Sequence, residues 1–411
     1  MKTNRLILKF SAIFLILFVL VTSCTKKDDS TTYSYYVSKE FLFPFTKSYI
    51  SNLIDNVSAS LPEVNSLKAL VVSDINIHRL VYKTTINGQE INASGLVCVP
   101  ITPGNYPVLS FQNGTNTLND YAPGEFPINY PYQFVEIIAS MGYVVVIADY
   151  PGFGESVQVP HPYLVKEPTV KSLVDMLFAV KELAISELPG ITLKNEYYLL
   201  GYSQGGWATL ALHKALELDY NSDFNLKGSA CGAGPYDIYL LLQGMVNMTT
   251  YPMPVYLGYI VNAYTAYNQF TNPVTDILNE PYASKLSSLF TGSLTSDEIN
   301  NKLTTSIPGL ITSDFLSGFA TSPKYASVRD ALINNSVNAW HSYKPLLLLH
   351  GEDDTDVNPI STESMYSAMV EAGTSGDLCK KVILPGLDHG DGIFPCMIQG
   401  VLFLMNLNTS K

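Results

Sequence analysis

Charged residues are scarce in this chain, and basic ones are scarcer than acidic ones. Lys, Arg, Asp and Glu make up 15% of its 411 residues, and 24 basic against 36 acidic side chains give a formal net charge of -12. Beyond its first residues the chain has no cluster of Lys or Arg, so it would repel a nucleic-acid backbone. We therefore expect no nucleic-acid partner, and a small molecule or another macromolecule instead.

The chain also lacks the short motifs that hold metals and nucleotides. It has no H-E-x-x-H, no zinc-type spacing of Cys and His, no P-loop and no dinucleotide fingerprint. The acidic run from Asp354 opens like a calcium loop, with Asp356 and Asn358 at alternate positions. Its sixth position is Pro359 and its twelfth is Met365, where such a loop needs Gly and Glu. We therefore expect neither a metal nor a cofactor.

The N-terminus has the pattern of an export signal. Basic residues precede FSAIFLILFVLV, an apolar run too short for a comfortable membrane span, as in cleaved signal peptides. The run ends in VTSC, which resembles the lipobox of bacterial lipoproteins, where cleavage before the Cys frees it to carry a lipid. We expect residues 1–23 to be a lipoprotein signal peptide and Cys24 to be lipidated. An uncleaved anchor with an ordinary Cys is the alternative.

A polar segment, TKKDDSTTYS, follows Cys24. We expect residues 24–37 to be a tether. Its Lys27-Asp28-Asp29 resembles the export signals that place some lipoproteins of Gram-negative bacteria on the outer surface, although any tether needs soluble residues. The prediction is an exported lipoprotein of the outer membrane, on its periplasmic or its outer side, held there by its lipid.

Four cysteines remain once Cys24 is assigned to lipid, in a compartment that permits disulfides: Cys98, Cys231, Cys379 and Cys396. A bridge between Cys379 and Cys396 is the hypothesis to test, because it would staple the loop around His389. The connectivity does not follow from the sequence.

Beyond the tether, short apolar runs alternate with amphipathic stretches, and internal repeats and low-complexity tracts are missing. A helix is expected from about Thr46 to Val57, then a hairpin around Asn87-Gly88. The predicted buried strands are YPVLSFQ, YVVVIAD, EYYLLGY, LKGSACG, PLLLLHG and KKVILPG, separated by helices such as PYQFVEIIASMG and VKSLVDMLFAVKELA. This alternation predicts an α/β fold with a mostly parallel central sheet flanked by helices.

Residues 236–341 interrupt the alternation between two predicted core strands. They carry no convincing strand but show helix signals such as the capping box from Thr295 to Glu298. We therefore predict an inserted helical cap, 236–341, on a core of residues 38–235 and 342–411. The seven tyrosines from Tyr236 to Tyr267 could wall an acyl, aryl or sugar pocket, or could be core residues.

The stretch GYSQG, residues 201–205, matches the G-x-S-x-G nucleophile elbow and lies between a predicted strand and a predicted helix. The Ser of such an elbow occupies a strained turn in which side chains two residues away would collide, so glycines are needed there. We expect Ser203 to be a nucleophile at an exposed turn. A tight strand-to-helix turn with an idle Ser is the alternative.

A serine nucleophile needs a base, and the base needs an orienting acid; in folds with this elbow the chain order is Ser, then Asp or Glu, then His. Of six histidines, His389 alone lies downstream of an acid at the end of the last core strand. We interpret His350 as a structural residue at a strand end. His161, near the expected rim of the site, is harder to dismiss.

Four carboxylates crowd the loop after PLLLLHG: Glu352, Asp353, Asp354 and Asp356. Asp354 is the predicted orienting acid, since it lies three residues after Gly351, and Val357 is the apolar residue expected to turn the chain back onto the sheet. Asp356 remains the alternative.

An oxyanion hole would combine the backbone N–H of Gln204, the residue after the nucleophile, with one from the loop FQNGTN. Thr115 would supply the second N–H. An ordinary Asn113-Gly114 turn is the alternative.

Taken together, these motifs resemble those of the α/β-hydrolase superfamily, in the secreted lipase and esterase branch with a helical cap. ADYPGFGES resembles its D-x-x-G-x-G-x-S turn, and HGEDDTDV resembles its H-G-x-x-D-x-x-V acid loop. The chain departs from the pattern at Asn113, where relatives often have His.

The resemblance and the residues predict a serine carboxylic-ester hydrolase acting on a small-molecule ester. Ser203 would attack the carbonyl, His389 would take and return the proton, and Asp354 would hold the imidazole. A serine peptidase of the same fold acting on small peptides is the closest alternative. A catalytically idle surface-binding lipoprotein is the third.

Overall fold

The computed structural model describes residues 33–59 and 61–409. The predicted signal peptide and the lipidation of Cys24 lie outside the described residues. Within the described part of the chain, no helix is both long enough and apolar enough to cross a membrane.

A nine-stranded sheet forms the centre of the fold, in the order β1-β2-β3-β5-β4-β6-β7-β8-β9. The strands are β1 Tyr36–Phe45, β2 Ile75–Ile86, β3 Gln89–Pro100, β4 Gly104–Gln112, β5 Val144–Ala148, β6 Ile191–Tyr202, β7 Leu226–Gly232, β8 Leu346–Gly351 and β9 Cys379–Leu384. β1, β2 and β3 pair antiparallel with their neighbours, and every pair from β5 through β4 to β9 is parallel. The carboxyl ends of the parallel strands therefore share one edge, where ligands bind in open α/β sheets.

The helices flank the sheet and fill the long segment between β7 and β8. They are α1 Lys47–Ser58, α2 Tyr130–Glu136, α3 Lys166–Glu187, α4 Gln204–Leu218, α5 Ile238–Met245, α6 Pro254–Ala266, α7 Val274–Ile277, α8 Tyr282–Leu289, α9 Ser296–Asn300, α10 Ile307–Leu310, α11 Ser313–Gly318, α12 Ala326–Asn335, α13 Ile360–Glu371 and α14 Ile393–Thr409. Short 3-10 helices lie at Pro62–Leu70, Asn119–Tyr121, Ile137–Met141, Gly154–Ser156 and Pro323–Tyr325.

The apolar core lies on both faces of the sheet, as the continuous apolar strands predict. In β5, Val144 and Val146 pack in the cluster that contains α3 and α4, whereas Val145 and Ile147 pack in the cluster that contains α1 and α14. A strand buried on both faces has no polar face to alternate with, which is why VVVIA is apolar throughout. The predicted α/β fold with a mostly parallel sheet is confirmed.

Several local signals hold in the structure. Thr46 caps α1 through its side chain, Asn87 and Gly88 turn the β2–β3 hairpin with φ of 49° and 76°, and Thr295 forms the capping box of α9. The described residues 236–341 contain α5 to α12, and their only strand-like pairings are isolated bridges. The division into a core and a cap stays a prediction.

The hypothesised disulfide between Cys379 and Cys396 is wrong. Both are free and buried, as are Cys98 and Cys231. Cys379 opens β9 and belongs to the cluster of α3 and α4, whereas Cys396 lies on α14 in the cluster on the other face of the sheet. The sheet therefore separates the two thiols.

The predicted end of the tether, residue 37, is wrong, because the first strand begins at residue 36. Residues 36 and 37 belong to β1, and the backbone N–H groups of Tyr35 and Tyr36 donate to the carboxylate of Glu182 on α3. Residues 36 and 37, the last two of the predicted tether 24–37, are therefore part of the folded chain.

Candidate active site

Ser203 lies at the junction of β6 and α4. Its backbone has φ 59° and ψ -125°, a conformation that residues other than glycine rarely adopt. The two glycines of the elbow are required by packing. A Cβ on Gly201 would collide with Thr209 and with the backbone of Gly205, and one on Gly205 would collide with the carbonyl of Gln112. The expected exposed turn is wrong, because only 7% of Ser203 is exposed.

The structure brings together the three residues that the sequence places in separate loops. The Oγ of Ser203 lies 2.9 Å from Nε2 of His389, and Nδ1 of His389 lies 2.7 Å from Oδ2 of Asp354. An ionised carboxylate can only accept, so Nδ1 carries the proton and Nε2 is left to accept from the serine hydroxyl. His389 is thus in the tautomer that a general base requires.

Asp354 is held as an anion by the donors around it. Its Oδ1 accepts from the backbone N–H groups of Asp356, at 3.0 Å, and of Val357, at 2.8 Å. Burial raises the pKa of Asp354, but hydrogen bonds from His350 and His389 outweigh this and hold the pKa at about 2. Within the loop carboxylates, all of which the structure describes, Asp354 is the one hydrogen-bonded to His389.

Asp356 has different surroundings from those of Asp354. Its side chain is half-buried, and its backbone carbonyl accepts from the hydroxyl of Tyr251 at 2.7 Å. Burial raises the pKa of Asp356. Glu352 and Asp353 are exposed.

The two segments that carry the predicted oxyanion donors adjoin the elbow. α4 begins at Gln204, so the backbone N–H of Gln204 lies in the first turn, where no acceptor within the helix is available. The loop after β4 packs against the elbow, since a Cβ on Gly114 would lie 3.7 Å from Cβ of Ser203. The next residue, Thr115, has its hydroxyl 3.0 Å from that of Tyr163.

Hydrogen bonds of Asp149 and His161 stabilise this edge of the site. Asp149 accepts from the hydroxyl of Ser94 and from the backbone N–H of Gly124, each at 2.6 Å, and burial raises its pKa to about 6. The Oγ of Ser94 also accepts from the backbone N–H of Glu155, which links this carboxylate to the turn that leads to His161. His161 lies 2.9 Å from the carbonyl of Pro151 and 2.8 Å from the side chain of Gln204.

His161 is therefore not idle, because it reaches the site through the side chain of Gln204. Burial lowers its pKa to about 4, so the ring is neutral near pH 7. Its Nδ1–H donates to Pro151, and its Nε2 accepts from the amide of Gln204.

Two further residues at the site were not singled out as functional from the sequence. Tyr202, the variable residue of the elbow, donates its hydroxyl to the backbone carbonyl of His389 at 2.7 Å. His350, interpreted as a strand-end residue, lies with Nε2 3.1 Å from Oδ2 of Asp354. The signal for His350 was its place in the acid-loop motif, four residues before Asp354.

A cavity of about 440 Å³ lies between α5, α6 and the acid loop. Its wall is largely apolar, but Asp354 and Asp356 are part of it, while Ser203 and His389 are not. The cavity therefore opens beside the acid of the site. Of the seven tyrosines, Tyr251, Tyr256 and Tyr264 line the cavity, and the other four, Tyr236, Tyr239, Tyr259 and Tyr267, do not.

The secretory lipase family matches residues 126–371, more than half of the chain. The chain belongs to the secretory lipase family. This membership places the chain in the α/β-hydrolase superfamily, among ester hydrolases, and favours an exported protein. No match was found among curated proteins.

Solved structures agree with this family. The chain is similar to a candidate hydrolase of Legionella pneumophila, with TM-score 0.81 and 26% identity over 92% of this chain and 99% of that one. The rice cell wall degrading esterase LipA of Xanthomonas oryzae gives TM-score 0.76 at 22% identity, over 91% and 97%. Candida antarctica lipase A in its closed state gives 0.65 at 14%, over 90% and 81%. The last two likenesses show the fold alone.

Proposed function

We propose that this secretory lipase family member is a serine carboxylic-ester hydrolase that works through an acyl-enzyme intermediate. The observation that carries the proposal is the hydrogen-bonded line from Ser203 through His389 to Asp354. Each atom in this line has the donor or acceptor role that nucleophilic catalysis needs.

The reaction follows from the roles of these atoms. As Oγ of Ser203 bonds to the ester carbonyl carbon, Nε2 of His389 takes its proton, and the carbonyl oxygen becomes an anion that the backbone N–H groups of Gln204 and Thr115 stabilise. Collapse breaks the bond to the alcohol, which leaves with the proton from Nε2. Water, deprotonated by His389, then attacks the acyl carbon; the bond from that carbon to Oγ breaks, Nε2 returns the proton to Oγ, and the carboxylic acid leaves. The low pKa of Asp354 keeps a negative charge beside the imidazolium throughout.

The cavity supports a substrate with a sizeable apolar part. We propose that residues 236–341 form a cap on a core of residues 36–235 and 342–411, and that the cavity between cap and acid loop receives that part. Its volume falls within the range of small-molecule sites. Each methylene of a ligand that is buried against its apolar wall would strengthen binding.

Leu241→Trp should change chain-length preference. Leu241 lines the cavity from α5, so a larger ring there would exclude the far end of a long acyl chain. We expect kcat/KM for a long-chain aryl ester to fall by about tenfold or more relative to the acetate. Leu218→Trp, at the exposed end of α4, is the matched control. Equal losses of kcat/KM on both esters would show that the cavity does not bind the acyl chain.

We also propose that the chain is an exported lipoprotein of the outer membrane, anchored through Cys24. The support is the lipobox-like VTSC after the apolar run, together with the family. Cys24→Ala should abolish incorporation of a labelled fatty acid and move the protein out of the membrane fraction. A variant that stays with the membrane would place the anchor elsewhere.

The test of the activity is a panel of aryl esters and matched aminoacyl anilides. We expect esters to have the higher kcat/KM, because the structure offers a largely apolar cavity beside the triad. Preference for an anilide would favour a peptidase instead.

A further inference from the structure

A second imidazole reaches the carboxylate of the triad. His350, the penultimate residue of β8, is fully buried. Its Nε2 lies 2.7 Å from the carbonyl oxygen of Val357 and 3.1 Å from Oδ2 of Asp354, and its Nδ1 lies 2.7 Å from Oγ1 of Thr362 on α13. Each ring nitrogen therefore has a partner.

The partners fix which nitrogen carries the proton. A carbonyl oxygen and a carboxylate oxygen can only accept, so Nε2 of His350 must donate to them. In the neutral ring Nδ1 then accepts from the hydroxyl of Thr362. The Nε2–H of His350 donates to Val357 and also lies beside Oδ2 of Asp354, 3.1 Å from Nε2.

This donor completes the set around Asp354. Oδ1 accepts from two backbone N–H groups, Oδ2 accepts from His389, and Nε2 of His350 lies 3.1 Å from the same Oδ2. These three hydrogen bonds and the fourth donor beside Oδ2 match the roughly four lone-pair sites of an ionised carboxylate. A rotation of the carboxylate would break hydrogen bonds on both of its oxygens.

We propose that His350 is a positioning residue for ester hydrolysis, which holds the Asp354 carboxylate in the rotation at which Oδ2 accepts the Nδ1–H of His389. The inference rests on the proposed function, because it assigns a role within the same triad. The shorter contact to Val357 also ties the acid loop to β8, so a test must separate orientation from fold stability.

The other titratable side chains near this carboxylate set the background charge. In the described part of the chain they are Asp356, Asp388, Tyr202, Tyr251, Tyr256 and Cys396. Burial raises the pKa of the three tyrosines and of the thiol, so these groups are neutral near pH 7. Asp356 and Asp388 stay in place in the His350, His213 and Thr362 variants that test this proposal.

The experiment compares His350→Leu, which removes the donor, with His350→Gln, which keeps an amide N–H at a similar reach. Active sites are counted by titration with a fluorophosphonate, so that unfolded protein does not enter kcat. In the Leu variant we expect kcat to fall about 10- to 100-fold with KM within about twofold, as for loss of a hydrogen bond to a charged group. The Gln variant should retain most of kcat.

The pH profile separates positioning from simple destabilisation. If Asp354 is no longer aimed at His389, the imidazolium loses its counter-charge, and the acid limb of kcat should move to lower pH in His350→Leu. His213→Leu is the control. It removes another buried imidazole, one that contacts Ser342 and Glu217 away from the site, and should leave the acid limb in place.

Thr362→Val is the second variant, for the case in which His350→Leu does not fold. It removes the hydroxyl that orients the ring, and should lower kcat by a smaller factor and move the acid limb in the same direction. A wild-type kcat and acid limb in the variants that fold, or equal losses for Leu and Gln, would overturn the positioning role alone. A wild-type enzyme that hydrolyses no ester would overturn the proposed function.

Discussion

Asp354→Asn is expected to lower kcat by about four orders of magnitude. The two backbone N–H groups at Oδ1 require an acceptor, so the amide oxygen of Asn would take that position and its NH₂ would face His389. Nδ1 would then have to accept, which leaves the proton on Nε2. In that tautomer His389 cannot take the proton of Ser203.

Asp356→Asn is the matched control, in the same loop and with the same change of charge. The side chain of Asp356 is half-buried, and the triad uses its backbone N–H rather than its carboxylate. We expect its kcat to stay within about tenfold of the wild type. Measuring kcat per titrated active site for both variants decides between them, and the reverse pattern would make Asp356 the orienting acid.

Ser203→Ala should lower kcat by about 10⁵- to 10⁶-fold, because without Oγ no acyl-enzyme forms and His389 has no proton to take. Stability should change little. The hydroxyl makes one hydrogen bond, to His389, whose net contribution to folding is about 1 kcal/mol, and Ala keeps the same backbone strain as Ser.

The control for this variant is Ser367→Ala, on the exposed side of α13, which should match the wild type in kcat and in Tm. Residual hydrolysis by Ser203→Ala at more than about a thousandth of the wild-type rate would mean that another group attacks the ester.

The elbow could be predicted because its requirements are local. Ser203 needs glycines two residues to either side, and GYSQG between a strand and a helix states this within a few residues. The chain order of nucleophile, acid and base likewise restricts which residues can be the acid and the base. What no local pattern contains is the burial of Ser203, which depends on segments distant in the sequence.

The first strand was missed for a physical reason. β1 lies at the edge of the sheet, most of its residues are at least partly exposed, and it contains Pro44. An edge strand can hold a proline and need not alternate cleanly, so YVSKEFLFPF shows little of the strand signal. Glu182, on the distant helix α3, accepts from the backbone just before and at the start of this strand.

The disulfide hypothesis failed because nearness in the sequence does not give the side of a sheet. Cys379 and Cys396 flank the His389 loop in the chain, but β9 directs one thiol to one face and α14 lies on the other. The same limit applies to His350, whose position within the acid-loop motif did not reveal that its ring turns towards Asp354.

The most direct test of the proposed mechanism is to label the wild-type enzyme with a fluorophosphonate and to locate the labelled residue by tandem mass spectrometry of the digested protein. We expect one adduct, on Ser203, with ester hydrolysis lost in proportion to labelling. Complete labelling of Ser203 with hydrolysis retained, or loss of hydrolysis with the adduct on another residue, would contradict it.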